Sequence, residues 1–289
     1  MREGTRAKKS LGQNFLVDGN VISRIIAAAG LCGDDAVLEI GPGRGALTAR
    51  LAAAAGQVVA VERDRDLLPL LHEKLTGVSN VEVIRGDILR VDMRQLLSER
   101  REGRWKVVAN LPYNISSQIL FAFIECRTAV SQMVLMLQKE VGDRLVALPG
   151  CKDYGILTVL CANYFDIERV CIVKPASFRP VPKVDSAVLR FRVLQSPRTD
   201  VGDEELFRGV VKASFGQRRK TLANCLRGMS VLAGEGLLDQ VLDRAGIDGR
   251  RRGETLSLDE FAGLSREMRA LLKRRGVAAG RALRLPEHD

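Results

Sequence analysis

The sequence predicts an α/β protein: a doubly wound parallel sheet followed by a small all-helical domain. Three observations lead there. Short β-branched runs alternate with amphipathic stretches over the first two thirds of the chain, a glycine-rich loop follows the first such run, and the alternation stops near residue 195. Such alternation is the pattern of parallel strands joined by crossover helices.

The predicted strands, in order, are Ala36 to Ile40, Val58 to Glu62, Val81 to Arg85, Lys106 to Asn110 and Met133 to Leu137. Between them, helical patterns cover Ala46 to Ala55, Asp64 to Thr76, Ile115 to Cys126 and Lys139 to Leu148, lengths that a crossover accepts. Pro175 to Pro182 is proline-rich, and Ser186 to Val193 alternates like a half-buried strand, so the sheet is expected to close there. From Asp203 to about Arg275 only helical patterns remain, with Gly228, Gly236, Gly246 and Gly253 as breaks. The expected domains are therefore 1–195, 196–275 and a loose tail at 276–289.

With 289 residues and 46% hydrophobic content, the chain is long enough for a full core and a smaller second domain. The 45 Lys+Arg against 35 Asp+Glu give a formal charge of +10, which suits RNA, DNA or an anionic membrane surface as well as simple solubility. No apolar run reaches the roughly 18 to 20 residues that cross a bilayer, and the opening stretch lacks the apolar core of a signal peptide, so a cytoplasmic protein without a membrane partner is expected. The six cysteines form no C-x-x-C pair and read as free buried thiols in a reducing compartment. Only His72 and His288 are histidines, so neither a metal site nor a Ser-His-Asp triad is expected.

The first strand runs into Gly41-Pro42-Gly43-Arg44-Gly45, placing the glycines at a strand-to-helix turn where backbone can approach a ligand, as in Rossmann-like sheets. Gly41, Gly43 and Ala46 also satisfy the looser dinucleotide fingerprint, and Glu62 at the end of the second strand can hold ribose hydroxyls in either kind of enzyme. Glu39 separates the alternatives. A carboxylate two residues before the first glycine repels a pyrophosphate but suits a ligand bearing ammonium and sulfonium charges, and S-adenosylmethionine is such a ligand. Asp87, at the end of the third strand, is placed to accept a hydrogen bond from the cofactor's adenine amine, although an isolated Gly-Asp pair is more often a turn or cap.

The fourth strand ends in Asn110-Leu111-Pro112-Tyr113, which resembles the acceptor motif of amino-methyltransferases acting on adenine. The chemistry accounts for these residue types. An adenine amine is a poor nucleophile because its lone pair is delocalised, so a site must supply orientation and hydrogen-bond acceptors. The Asn110 oxygen is one acceptor, the Leu111 carbonyl, aimed by the restriction Pro112 imposes, is a second, and Tyr113 offers a face for stacking. The N-methylammonium product loses its proton readily, so no strong base is needed. The target must leave its stack, so unpaired or flipped nucleotides are the expected substrates. By itself, the tetrapeptide reads equally well as a strand end with a proline turn.

Over nearly its whole length the sequence resembles the small-subunit ribosomal RNA adenine dimethyltransferases. The resemblance is carried by Lys8 to Leu16, Val37 to Thr48, Asn110 to Ser116, Leu137 to Glu140, Phe178 through Ser186, and Ser214 to Leu222. It implies a Rossmann-like S-adenosylmethionine-dependent methyltransferase sheet whose N-terminal segment folds over the cofactor. Asn14 and Leu16 would then bind the cofactor with Gly41, Glu62, Asp87 and Asn110, joined by Gln13, Glu39 and Gly43. It also implies that Phe178, otherwise a core aromatic beside a proline turn, packs on the flipped adenine opposite Tyr113. The implied reaction is dimethylation of N6 on two adjacent adenosines in the 3′-terminal hairpin loop of small-subunit RNA, carried out by a monomer within an assembling subunit. The alternatives are a large-subunit methyltransferase of the resistance type and a non-catalytic factor on the same fold, with a dehydrogenase further off. One departure is Ala162, where the family often has glutamine.

From Arg208 to Arg227 there are six basic residues and no acidic one. Lys212, Arg218, Arg219 and Lys220 are the expected phosphate contacts, a solvated helix face being the alternative, with Lys8 and Lys9 as additions to the same footprint.

Overall fold

The apolar runs assemble into one central sheet because each is flanked by helices that cover its two faces. The structure, a computed structural model, describes residues 7–229, 232 and 236–275. The expected tail at 276–289, with His288, lies outside the described residues, as does the side chain of Lys9.

In chain order the elements are β1 (Phe15–Leu16), α1 (Gly19–Ala29), β2 (Ala36–Ile40), α2 (Thr48–Ala54), β3 (Gln57–Glu62), α3 (Leu68–Lys74), β4 (Val81–Arg85) and α4 (Met93–Ser98). There follow β5 (Trp105–Asn110), α5 (Ser116–Glu125), β6 (Val130–Gln138), α6 (Lys139–Leu145), α7 (Ile156–Ala162), β7 (Phe165–Val173), β8 (Phe178–Arg179) and β9 (Ser186–Val193). The remaining helices are α8 (Glu204–Phe215), α9 (Leu222–Leu226), α10 (Leu237–Ala245) and α11 (Leu258–Arg274).

The main sheet has the order β4-β3-β2-β5-β6-β9-β7. Its first five strands are parallel, whereas β9 runs antiparallel to both β6 and β7. The expected closing strand at 186–193 is therefore inserted inside the edge, and β7, which the sequence reading lacks, is the outermost strand. All five residues of β2 are buried, as a strand covered on both faces requires, while the edge strand β4 is only half-buried. Helix α1 was not foreseen either. Asp18 caps it by accepting from the amides of Asn20 and Val21, and it buries Val21, Ile22, Ile25 and Ala29 against the sheet. A second, two-stranded ribbon pairs β1 with β8, setting Phe15 opposite Arg179 and Leu16 opposite Phe178.

The chain separates into two compact units, residues up to 143 with 165–193, and 144–164 with 194 onward. The segment 144–164, placed by the sequence reading with the sheet, thus contributes to the helical unit. Its anchor is Tyr154, which is buried, donates to the Leu256 carbonyl at 2.8 Å and packs its ring against Phe215. Phe215 in turn contacts Phe261, so aromatic packing joins the start of this unit to its last helix. Asp203 caps α8, and a reciprocal Ser257–Glu260 capping box starts α11. Ala162 ends α7, and its carbonyl accepts from Arg198 at 3.0 Å.

All six cysteines are free, but only Cys126 and Cys161 are buried. Cys32 and Cys151 are exposed because they stand in loops, so the expectation of buried thiols is corrected for these two, and Cys171 and Cys225 are half-buried. No helix among the described residues is long and apolar enough to cross a membrane.

Candidate active site

Strand order dictates where a ligand can enter. Between β2 and β5 the sheet reverses its direction of winding, so the loops leaving their carboxyl ends part and open a crevice. A cavity of about 1030 Å3, including its mouth to solvent, lies there, lined by the ends of β2, β3 and β5, the turn after β4 and residues 11–16.

The glycine loop forms one side. Gly41 and Gly43 have φ of 66° and 60°, in the left-handed region. A Cβ at Gly43 would also meet the Phe15 ring at 3.1 Å, so a side chain there would crowd the N-terminal segment as well as strain the backbone. The positive φ angles delay the following helix, which starts at Thr48 rather than at Ala46.

Two buried carboxylates stand behind this loop. Glu62 Oε2 accepts from the Gly43 amide at 3.0 Å and Oε1 from the Asp64 amide at 2.7 Å. Burial raises the Glu62 pKa in spite of these donors, which pull it down. Glu39 is only 1% exposed, and its Oε2 is buried without a hydrogen-bond partner. Burial, opposed by the nearby Thr48 hydroxyl and reinforced by the negative Glu62, pushes the Glu39 carboxyl up to about 8. That hydroxyl is itself buried and completes no well-formed hydrogen bond, so desolvation decides the direction.

Asp87 makes a turn and also lines the cavity. Its Oδ1 accepts from the Leu89 amide at 3.2 Å, making the turn, while Oδ2 lies 3.5 Å from Arg63 Nη1 and the residue lines the cavity.

On the other side stands the segment after β5. Asn110 Nδ2 donates to the Asn14 carbonyl at 3.0 Å, which fixes the amide and makes Oδ1 the atom able to accept from a ligand. Leu111 is buried, its amide donating to Met136 O at 2.9 Å. The Tyr113 hydroxyl is 2.7 Å from Ser186 Oγ, which holds the ring in place. Burial raises the Tyr113 pKa, so the hydroxyl stays protonated at neutral pH.

The cavity brings together Gln13, Asn14, Leu16, Glu39, Gly41, Gly43, Glu62, Asp87, Asn110, Leu111, Pro112 and Tyr113. Phe178 is not among them. It is fully buried, packed in a core with Leu16, Ile25 and Val188, because its pairing with Leu16 across β1 and β8 turns it inward. Gln13 lines the cavity, but its side-chain amide is held by Asp64 Oδ2 and by the Lys8 amide. Lys8, expected on the RNA footprint, instead forms ion pairs with Asp64 and Asp66. Phe15, Arg63 and Ile88 line the cavity and were missed; Phe15 also carries the Arg44 guanidinium 4.6 Å from its ring centre. His72 is exposed and lies outside the cavity lining.

In the helical unit Lys212, Arg219 and Lys220 are exposed, as is Arg218. Arg218 differs from the rest in being committed within the protein, donating to Lys152 O at 2.6 Å and Glu254 Oε2 at 3.1 Å.

Comparison with known proteins sharpens this picture. The sequence profile described as ribosomal RNA adenine dimethylase matches residues 4–264. A ribosomal RNA small subunit methyltransferase A from Geobacter metallireducens is 56% identical over 270 residues, covering 93% of this chain and 98% of the relative. A crystal structure of a dimethyladenosine transferase from Plasmodium falciparum superposes with a TM-score of 0.76 at 25% identity, over 91% of this chain and 98% of that one. The 23S rRNA methyltransferase ErmE superposes with a TM-score of 0.65 at 30% identity, over 89% of this chain and 100% of its own.

The raised Glu39 pKa makes folding stability depend on pH. In the ligand-free protein the native state keeps this proton up to about 8, whereas the unfolded chain releases it near the ordinary 4.5, so stability present at low pH is lost as pH rises between them. Glu39→Gln removes that term. In urea titrations, the stability of the variant relative to wild type should grow by about 2 to 4 kcal/mol between roughly pH 4 and pH 8. Parallel curves would mean that Glu39 keeps its ordinary pKa in the folded protein.

Proposed function

The chain belongs to the ribosomal RNA adenine dimethylase family, and from that premise we propose that it transfers methyl groups from S-adenosylmethionine to N6 of two adjacent adenosines in small-subunit ribosomal RNA. The observation that carries the acceptor chemistry is the Asn110 amide, locked by the Asn14 carbonyl so that only its oxygen is left to accept from an amine.

The cavity fits this cofactor by the chemistry of its donors and acceptors. Glu39 presents a buried carboxylate oxygen without a partner, which a cationic ligand group stabilises in its ionised form. Each Glu62 oxygen accepts one backbone amide and retains a lone pair for a ribose hydroxyl. Asp87 Oδ2 is available to an adenine amine by exchange with the half-exposed Arg63. Gln13, by contrast, acts on the cofactor through Asp64, since its amide is already engaged.

When bound, S-adenosylmethionine supplies an electrophilic methyl group on a sulfonium. The protein's task is to bring the amine to it in line. Asn110 Oδ1 and the Leu111 carbonyl would accept the two hydrogens of the unmodified amine, and one of them the single hydrogen left after the first methylation, which takes the nitrogen lone pair out of conjugation with the ring. Tyr113, tethered through its hydroxyl to Ser186, offers its face to the base. Phe178 can join it only if the β1–β8 ribbon uncovers it. The product ammonium is acidic and gives its proton to water, which suits a cavity whose lining has no histidine.

Lys212, Arg219 and Lys220 on the helical unit supply phosphate contacts, and the +10 charge supports a polyanionic substrate. We assign the protein to the cytoplasm, acting as a monomer on an assembling subunit. A large-subunit substrate has weaker support, because the small-subunit relative is 56% identical and ErmE 30%.

Asn110→Ala removes one acceptor and should lower single-turnover methyl transfer by about 10²- to 10³-fold, with the melting temperature little changed. A near wild-type rate would reduce Asn110 to a strand end. Replacing Lys212, Arg219 and Lys220 together by Ala should weaken RNA binding and lower the slope of log affinity against log salt by about one unit per lost contact, leaving cofactor affinity unchanged. An unchanged slope would assign the RNA surface elsewhere.

A further inference from the structure

The N-terminal segment reaches both ends of the cavity, and the way it is fastened assigns a task to residues that touch neither reactant. Asp64 lies two residues past Glu62, with a side chain only 1% exposed. Its Oδ1 accepts from Lys8 Nζ at 2.5 Å and from the Asp66 amide at 3.1 Å, and its Oδ2 accepts from Gln13 Nε2 at 2.7 Å. The ring closes where the Lys8 amide donates to Gln13 Oε1 at 2.7 Å. Lys8 Nζ also reaches Asp66 Oδ2 at 2.6 Å.

Asp64 passes this restraint on in one direction, because its own amide donates to Glu62 Oε1. The segment passes it on in the other. Asn14 follows Gln13, and its carbonyl holds the Asn110 amide. Phe15 then packs against Gly43, and β1 contributes only two residue pairs to its ribbon. A ribbon so short cannot by itself fix the residues ahead of it, so their position depends on the side chains at Asp64.

We propose that Lys8 and Gln13 are positioning residues: they latch the segment 8–16 onto Asp64, and the latch holds Glu62 at one end of the cavity and Asn110 at the other in register for cofactor and acceptor. The inference rests on the cofactor reading above. The latch is electrostatic at one point only, the Lys8 ion pairs, and the Lys8 side chain is 36% exposed, so salt reaches it.

The test uses S-adenosylhomocysteine, whose sulfur carries no charge; its ammonium and carboxylate are the same in every titration, so a difference in salt dependence between wild type and variant reports on the protein. By calorimetry on the full chain, wild-type affinity should fall as salt rises from about 0.05 to about 0.5 M. Lys8→Met should bind roughly tenfold more weakly at low salt, because a buried carboxylate loses its cation, and its affinity should vary distinctly less with salt than that of wild type. Lys8→Arg should restore both the affinity and its salt response. Gln13→Leu, which leaves the ion pairs in place, should bind more weakly yet keep the salt response. Hydrogen exchange at Asn14, Phe15 and Leu16 should quicken in Lys8→Met by more than it does in the central strands of the sheet. A Lys8→Met variant with wild-type affinity, salt response and exchange overturns the latch, and failure of Lys8→Arg to restore binding overturns charge as its cause. If wild type itself does not bind S-adenosylhomocysteine, the cofactor reading falls and this inference with it; if wild type binds and only the variants behave alike, the latch alone falls.

Discussion

Glu62 is the point at which three segments of the site meet. One carboxylate, at the end of a central parallel strand, accepts from the glycine loop through Gly43 and from the following loop through Asp64. Asp64 carries the contact on to Lys8 and Gln13. A buried carboxylate without donors is costly, so the donors are as much a condition of the strand end as a consequence of it. Shifting Glu62 would release the loop beside it, the loop after it and the segment that lies over both.

Around that point the sheet supplies the rigidity. The reversal of strand order opens the crevice, and the parallel strands on either side deliver Glu39, Glu62 and Asn110 at the same end of the sheet. The two ends of the cavity have different chemistry. Carboxylates dominate at the end we assign to a cationic, ribose-bearing cofactor, while neutral acceptors and an aromatic face stand at the end we assign to a neutral base. Glu39 connects this division to solvent conditions, since its burial makes the proton it holds in the ligand-free protein compete with a cationic ligand.

The sheet was legible in the sequence because its central strands are buried on both faces and read as continuous apolar runs; the bounds of β2, β4 and β9 coincide with those expected. Strand β7 escaped because its exposed face carries ions, with Asp166 and Glu168 facing Arg192 and Arg190 across to β9, which erases the apolar pattern. Helix α1 had a readable signal in Asp18 followed by Val21, Ile22 and Ile25, and was overlooked. That Gly41, Glu62, Asp87 and Asn110 border one cavity was legible because each stands at or just past a strand end, a position that sequence periodicity locates. The ion pairs of Lys8 escaped because its partner Asp64 is 56 residues away, and no local pattern announces a long-range ion pair. Phe178 shows the limit from the other side: the resemblance implies that it packs on the adenine, whereas strand pairing buries it completely, as its own context of a core aromatic beside a proline turn suggested.

The most direct measurement supplies labelled S-adenosylmethionine and immature small ribosomal subunits to the purified protein, then maps the modified nucleosides in the RNA. The account predicts N6,N6-dimethyladenosine at two adjacent positions of the small-subunit RNA. Label confined to another atom, to a cytosine or to large-subunit RNA would contradict it.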